Sequence, residues 1–167
     1  NNNSKERRDW YFMENNTIKA DDIINYCLSN LDDVLLMNSL GERAIYYNPN
    51  GILKRGVYVL TIKEKDSNND KGSLVSRPNV YRVNIGLKKE TFIEMFGYIP
   101  KRPGVGQIVD MDFDFTKLDT IMPHPIYSWM GWICVLSPTE KTFENFKTLI
   151  GESYNFAKQK FKKRKNK

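Results

Sequence analysis

Histidine is almost missing from these 167 residues: there is one, His124. A histidine-rich metal site and a paired-histidine mechanism are thereby excluded. Cysteine is nearly as scarce, with Cys27 in an apolar helical pattern and Cys134 in an apolar strand pattern. Two buried free thiols are expected rather than a disulfide. No apolar run reaches the roughly 18 residues that a membrane-spanning helix needs. Asn1 to Asp9 are polar and charged, without the apolar stretch of a signal peptide, so a cytoplasmic home and no membrane partner are expected. There is no Gly-x-Ser-x-Gly turn, and Gly104-Val105-Gly106 is too short for a phosphate-cradling fingerprint and has no strand–helix junction around it. Nucleophilic catalysis finds no support in such a chain, and no cofactor or metal is expected.

What is present describes a globular protein. A hydrophobic share of 40%, with 13% aromatic, suffices for one sizeable core at this length, whereas disorder needs far fewer apolar residues. The net charge of +6 is unevenly spread. Seven of the 26 basic residues fall between Lys158 and Lys167, leaving 19 against 20 acidic residues elsewhere. A basic tail on a near-neutral domain implies no more than weak, nonspecific affinity for polyanions.

Residues 1–12 differ in character from the rest, and Met13 reads as a start before the first helix, so 1–12 are expected to be an upstream extension. The single domain is expected over 13–157, followed by the basic helix end 158–167. Ile23, Ile24, Cys27, Leu28 and Leu31 recur at helical spacing, with Thr17 or Asp21 as the cap. Val34–Asn38 and Ala44–Tyr47 read as strands about a turn at Ser39–Glu42, and Asn48-Pro49-Asn50-Gly51 breaks the chain. Val57–Lys65 and Val80–Leu87 are β-branched strands. Lys88–Phe96 reads as a short helix stopped by Gly97. Ile108–Phe115 alternates apolar and acidic residues, and Trp132–Leu136 is a last strand. Ser137-Pro138-Thr139-Glu140 opens the final helix, with a capping hydroxyl and proline at its first position. This order predicts an α+β two-layer sandwich: one antiparallel sheet with the terminal helices on one face.

Four features could carry function. On a strand, Asp110, Asp112 and Asp114 would share one face and suit a hard cation. An EF-hand is excluded, because Phe115 and Ile121 stand where its glycine and glutamate belong, and a half-buried edge strand or an extended loop with a solvated acidic face is the plainer reading. His124 lies between Pro123 and Pro125, which hold it rigidly. It reads either as a structural histidine bonded to backbone or as a catalytic one paired with Asp119 or Asp110. Tyr127, Trp129 and Trp132 could line an apolar pocket with His124 and Arg82 as polar handles, or could be core. Lys158, Lys160, Lys162, Lys163, Arg164 and Lys165 could grip phosphates, or could simply be a solvated helix end matched to its dipole.

Tyr81-Arg82-Val83-Asn84-Ile85-Gly86-Leu87, Glu90-Thr91-Phe92 and Phe96-Gly97 resemble a bacterial family known only as a domain of unknown function. So do Asp114–Asp119, Pro123-His124-Pro125-Ile126-Tyr127 and Gly131–Pro138. Ser137 stands where that pattern has asparagine. More distantly, the Tyr127-to-Trp132 spacing and Leu149–Tyr154 look like MmcQ/YjbR-like proteins. That resemblance implies the CyaY-like α+β fold and at most a DNA-binding role, with no catalytic residues to carry over. The acidic first helix of frataxin-type iron binders is not reproduced by Asp21, Asp22, Asp32 and Asp33. The reading that follows is a cytoplasmic binding or accessory domain rather than an enzyme. It would take a small ligand or a macromolecule in a groove near His124, Tyr127, Arg82 and Trp129. The alternatives are nucleic-acid binding through the sheet face and basic tail, and a hydrolase-like enzyme using His124 with a carboxylate.

Overall fold

The computed structural model describes residues 3–8 and 16–166. Residues 3–8 are helical and exposed. The expected start at Met13, and the ends of the expected extension, lie outside the described residues, as does Lys167. From residue 16 the order is α1 (Ala20–Asn30), β1 (Val34–Ser39), β2 (Glu42–Tyr47), a 3-10 turn (Pro49–Gly51), β3 (Val57–Lys63), β4 (Arg82–Gly86), α2 (Lys89–Phe96), β5 (Met122–Pro123), a second 3-10 turn (Tyr127–Met130), β6 (Trp132–Leu136) and α3 (Glu140–Lys165). The six strands make one sheet in the order β1-β2-β3-β4-β6-β5, with every pair antiparallel.

Helices α1, α2 and α3 lie on one face of this sheet. Ile23, Ile24 and Cys27 of α1, Phe92 of α2, and Phe143, Phe146, Ile150, Ala157 and Phe161 of α3 share a single buried cluster with Ile45, Leu60, Ile62, Val83, Ile85, Ile133 and Val135 of the strands. These helix positions recur every three or four residues and the strand positions every second one, so each element turns one apolar side to the same layer. The α+β two-layer architecture read from the sequence is the one observed. Both cysteines are free and buried, and burial pushes each thiol up to about 12.

The two-residue hairpin Leu40-Gly41 joins β1 to β2 with both residues at positive φ, 51° and 81°, which suits the twist of paired strands. Further along, Ile45 faces Leu60 but Tyr46 faces Tyr58, so Val59 is an extra residue, a β-bulge in β3. Leu60 points to the helices; past the bulge it is Val57 that does so, while Tyr58 stands on the other face beside Tyr46, with ring centroids 4.5 Å apart.

Three details depart from the sequence reading. Helix α3 is capped by Thr139, whose hydroxyl accepts from Thr142 N–H, and Pro138 precedes the helix instead of opening it. Helix α1 begins after Lys19, whose N–H donates to the Asp22 carboxylate, while Thr17 bridges to Thr139. Asp110–Asp114 is irregular chain, not strand. Asp114 folds back to accept from Thr116 N–H and Oγ1 at 3.0 and 2.6 Å, bonds that hold its carboxyl below the usual range. Without a pleat, alternation no longer gathers the three acids on one face.

The face of the sheet away from the helices is partly roofed. Residues 64–81 and 97–121 fold over β4 and β6, and a second small core of Val109, Phe115, Met122, Cys134 and Leu136 forms beneath them. The roof stops short of the β1–β2 end.

Candidate functional sites at two ends of the sheet

Under the roof lies a polar centre built on Arg82, which has no exposed surface. Its Nε donates to Asn84 Oδ1 at 2.7 Å, its Nη1 to Asp70 Oδ1 at 3.0 Å and to Ser73 Oγ at 2.8 Å, and its Nη2 to Asp70 Oδ2 at 2.5 Å. Burial works against its charge, but the forked pairing with Asp70 outweighs this and raises the guanidinium's affinity for its proton. Lys63 adds a second buried ammonium, 3.1 Å from Ser67 Oγ and 3.9 Å from Asp70. Asn84 passes the network on, donating to Thr61 Oγ1 and Glu42 Oε1. Burial raises the Glu42 carboxyl above its usual range despite the opposing charges of Arg82 and Lys63.

His124 closes this centre. It is 2% exposed, and its Nδ1 accepts from the N–H groups of both Ile126 and Tyr127, each at 3.0 Å. Pro123 and Pro125 on either side fix the turn that aims those N–H groups inward. Burial, then the charges of Arg82 and Lys63, hold the ring well below the usual histidine pKa, so it is neutral. A nitrogen that accepts two N–H bonds carries no proton, which places the ring's proton on Nε2. That nitrogen faces Arg82 Nη2 at 3.1 Å, so two donors meet there.

Sequence reasoning joined Arg82 and His124, and the fold brings them into contact across 42 positions of chain. Both are buried. Tyr127 is the exposed member of the set at 47%, with its ring 5.0 Å from that of His124. Trp129 faces away, under the guanidinium of Arg102 at 4.8 Å. The carboxylates considered as partners of His124 are engaged elsewhere or absent from it. Asp119 accepts from Thr139 N–H and Oγ1 at the start of α3, and Asp110 is exposed. The acid beside this centre is Asp70, and it grips Arg82. Among the described residues no group of three histidine, cysteine, aspartate or glutamate side chains is placed to hold a metal ion.

The other end of the same face is different. A pocket of about 360 Å³ is lined by Tyr46, Leu53, Lys54, Arg55, Gly56, Tyr58 and Arg164. The loop that forms it is held locally. Asn48 brackets Leu53, accepting its N–H at 3.0 Å and donating to its carbonyl at 2.7 Å. Gly56 has φ +109°, and a Cβ there would stand 2.5 Å from the Tyr47 carbonyl oxygen, so the loop can close against β2 only with glycine at this point. Arg164 reaches over from α3 and donates to the Gly56 carbonyl at 3.4 Å. Among the described residues none of Lys54, Arg55 and Arg164 has a carboxylate within salt-bridge distance.

At the floor, the Tyr58 hydroxyl is 2.6 Å from Ser39 Oγ, but the neighbouring Tyr46 hydroxyl is buried with no hydrogen-bond partner. Burial, foremost, raises the Tyr46 pKa; Ser39, Tyr58 and the Arg55 guanidinium lie near enough to act on it too. A polar atom taken from water and left unpaired is an uncommon expense in a folded protein. Sequence reasoning missed this site. Its cations come from a chain break and from a helix end read as solvated, and neither is close to Tyr46 in sequence.

The other basic residues near the end of α3 lie along its last turns. Lys158 lies over the Tyr154 ring and Lys160 over that of Phe156. Burial and Arg164 lower the Lys160 pKa. Lys162, Lys163 and Lys165 are exposed. No helix among the described residues is long and apolar enough to cross a membrane.

Residues 18–166 match the model of a family described as a family of unknown function, DUF6194. Searches of the curated proteins and of the solved structures give no match.

Proposed function

The chain belongs to the DUF6194 family of unknown function, and we propose that within it this protein is a binding module for an anionic ligand. The ligand is taken in the pocket between the 52–56 loop, the Tyr46–Tyr58 pair and the end of α3. The observation that carries this reading is the buried hydroxyl of Tyr46, without a hydrogen bond of good geometry, in a pocket edged by three cations that have no carboxylate partner among the described residues. Unpaired like charges gathered at a concave site attract an anion, and an orphan donor beside them gives it direction. The reading moves the site away from His124, which is buried beside Arg82. It also offers no reason to place a reaction at that histidine.

Inorganic phosphate tests this. Amide shifts on titration at millimolar concentration should concentrate on residues 53–58 and Arg164, and Arg55→Gln should weaken binding at least tenfold. Shifts spread along the solvated lysines, with no loss in Arg55→Gln, would point to general electrostatics and overturn the reading.

A second reading keeps nucleic acid in view, because Lys162, Lys163 and Lys165 are exposed on the same helix end as Arg164. The sheet face is roofed at β4 and β6, so contact through it is confined to the β1–β3 end. Ending the chain after Ala157 is a poor test, since it removes Phe161, which is buried and stacks on Tyr47. Changing Lys162, Lys163 and Lys165 to glutamine leaves that packing intact. If those residues grip phosphates, the log–log salt slope should fall by roughly 0.9 for each phosphate no longer neutralised.

A further inference from the structure

The pocket says more about its ligand than the sign of its charge. Lys54, Arg55 and Arg164 are three cations around one mouth, with a hydroxyl donor at the floor. A carboxylate brings one negative charge and two acceptor oxygens. A phosphoryl monoester brings close to two charges near neutral pH and three acceptor oxygens, which matches this donor set better. The rest of the lining is not polar. Tyr46 and Tyr58 stand with their rings 4.5 Å apart and inclined by 31°, and Leu53 faces them across the pocket. The volume, about 360 Å³, falls in the range of small-molecule sites and far exceeds what an inorganic anion fills. An anion alone would leave Tyr58 and Leu53 without a partner.

Resting on the anion-binding reading, we infer that the pocket takes a phosphomonoester with a flat or apolar body. Its phosphoryl group meets Arg55, Arg164 and the Tyr46 hydroxyl, and its body lies against Tyr58 and Leu53. Arg55 is the movable part: it is exposed, it lies beside the Tyr46 hydroxyl, and a change of its rotamer uncovers that hydroxyl for the ligand. Lys54, also exposed, supplies charge at the rim.

The test compares phenyl phosphate, glycerol 3-phosphate, inorganic phosphate and benzoate by calorimetric titration against the full chain. Phenyl phosphate should bind at least tenfold tighter than each of the others. Its affinity should rise between pH 5 and 7, as its second proton leaves near pH 6. Tyr46→Phe should weaken phenyl phosphate severalfold and leave benzoate unchanged, while Leu53→Ala should weaken phenyl phosphate and leave inorganic phosphate unchanged. If phenyl phosphate and inorganic phosphate bind equally, the inference about the body fails and the anion reading stands. Benzoate binding as tightly as phenyl phosphate overturns the phosphoryl assignment. If none of the four binds, both readings fall together.

Discussion

The two ends of the sheet's open face use the same materials in opposite ways. At β4, Arg82 and Lys63 are taken out of water, and Asp70, Asn84, Ser73 and Ser67 pair with nearly every donor they carry. At the β2–β3 end, Lys54, Arg55 and Arg164 have no carboxylate within salt-bridge distance among the described residues, over a buried tyrosine hydroxyl that makes no hydrogen bond of good geometry to Ser39, Tyr58 or Arg55 beside it. Satisfaction is what holds a roof down; incompleteness is what a ligand can relieve. A buried charge is therefore no sign of a site by itself, and in this protein the more eye-catching cluster is the structural one.

The largest effect should come from breaking the satisfied end. Asp70→Ala leaves the Arg82 guanidinium buried and unpaired, and should lower stability by about 3–5 kcal/mol. Replacing both partners, Asp70→Leu with Arg82→Met, should recover part of that loss, the buried Lys63 ammonium still lacking its carboxylate. Urea denaturation of the two variants checks this, and a double variant no better than the single one would show that the pair does more than neutralise itself.

Next is the loop at the unsatisfied end. Gly56→Ala forces a Cβ toward the Tyr47 carbonyl at a positive φ, and should lower stability by about 1–3 kcal/mol. Phosphate affinity should drop with it, since Lys54 and Arg55 shift when the loop does. Folded Gly56→Ala with unaltered affinity would separate the loop from the site.

The pH dependence should separate two members of the closed centre by sign. His124 has a depressed pKa in the fold, so the unfolded chain binds more protons below about pH 6.5, and stability is lost as pH falls through that value. Glu42 has a raised pKa, so the folded chain binds more protons, and stability is lost as pH rises above the ordinary glutamate range. Each slope is at most about 1.4 kcal/mol per pH unit. His124→Gln should flatten the acid limb below pH 6.5 and Glu42→Gln the limb above pH 4.5, as read from urea midpoints across pH 4–8.

The smallest effect on stability should be that of Tyr46→Phe, which removes an unsatisfied buried group and should leave stability unchanged or raise it by about 1 kcal/mol. The same change should weaken phosphate binding. Loss of both together would mean that the hydroxyl has a partner in solution.

The sequence shows the helices through their spacing, because Ile23, Ile24 and Cys27, or Phe143, Phe146 and Ile150, leave little choice of face. It also shows the strands themselves, since Val57–Lys63 and Trp132–Leu136 are rich in β-branched and aromatic residues. The pairing of Arg82 with His124 is legible as a grouping but not as a burial. The segments that roof them, 64–81 and 97–121, have no period to read, and their closure depends on long-range pairs such as Arg77 donating to the Thr116 carbonyl. The acidic alternation at 110–114 looks like a strand for want of any local signal that Asp114 turns back onto Thr116. Tyr46 is invisible as a functional residue, since nothing in its neighbours tells which side of β2 it occupies or that Arg55 and Arg164 converge there.

The extra residue at Val59 governs that last point. Side chains alternate along β3, and one inserted residue transposes every side chain before it to the opposite face. Tyr58 reaches the open face through this shift; in an unbroken strand it would point into the helices, and Val57 would floor the pocket. Pairing β3 without the bulge would thus erase the site while every residue that lines it kept its identity, whereas deletion of Val59 itself would leave Tyr58 opposite Tyr46. The pocket's presence in a related chain then turns on the register that sets Tyr58 opposite Tyr46, before any comparison of which residues line it.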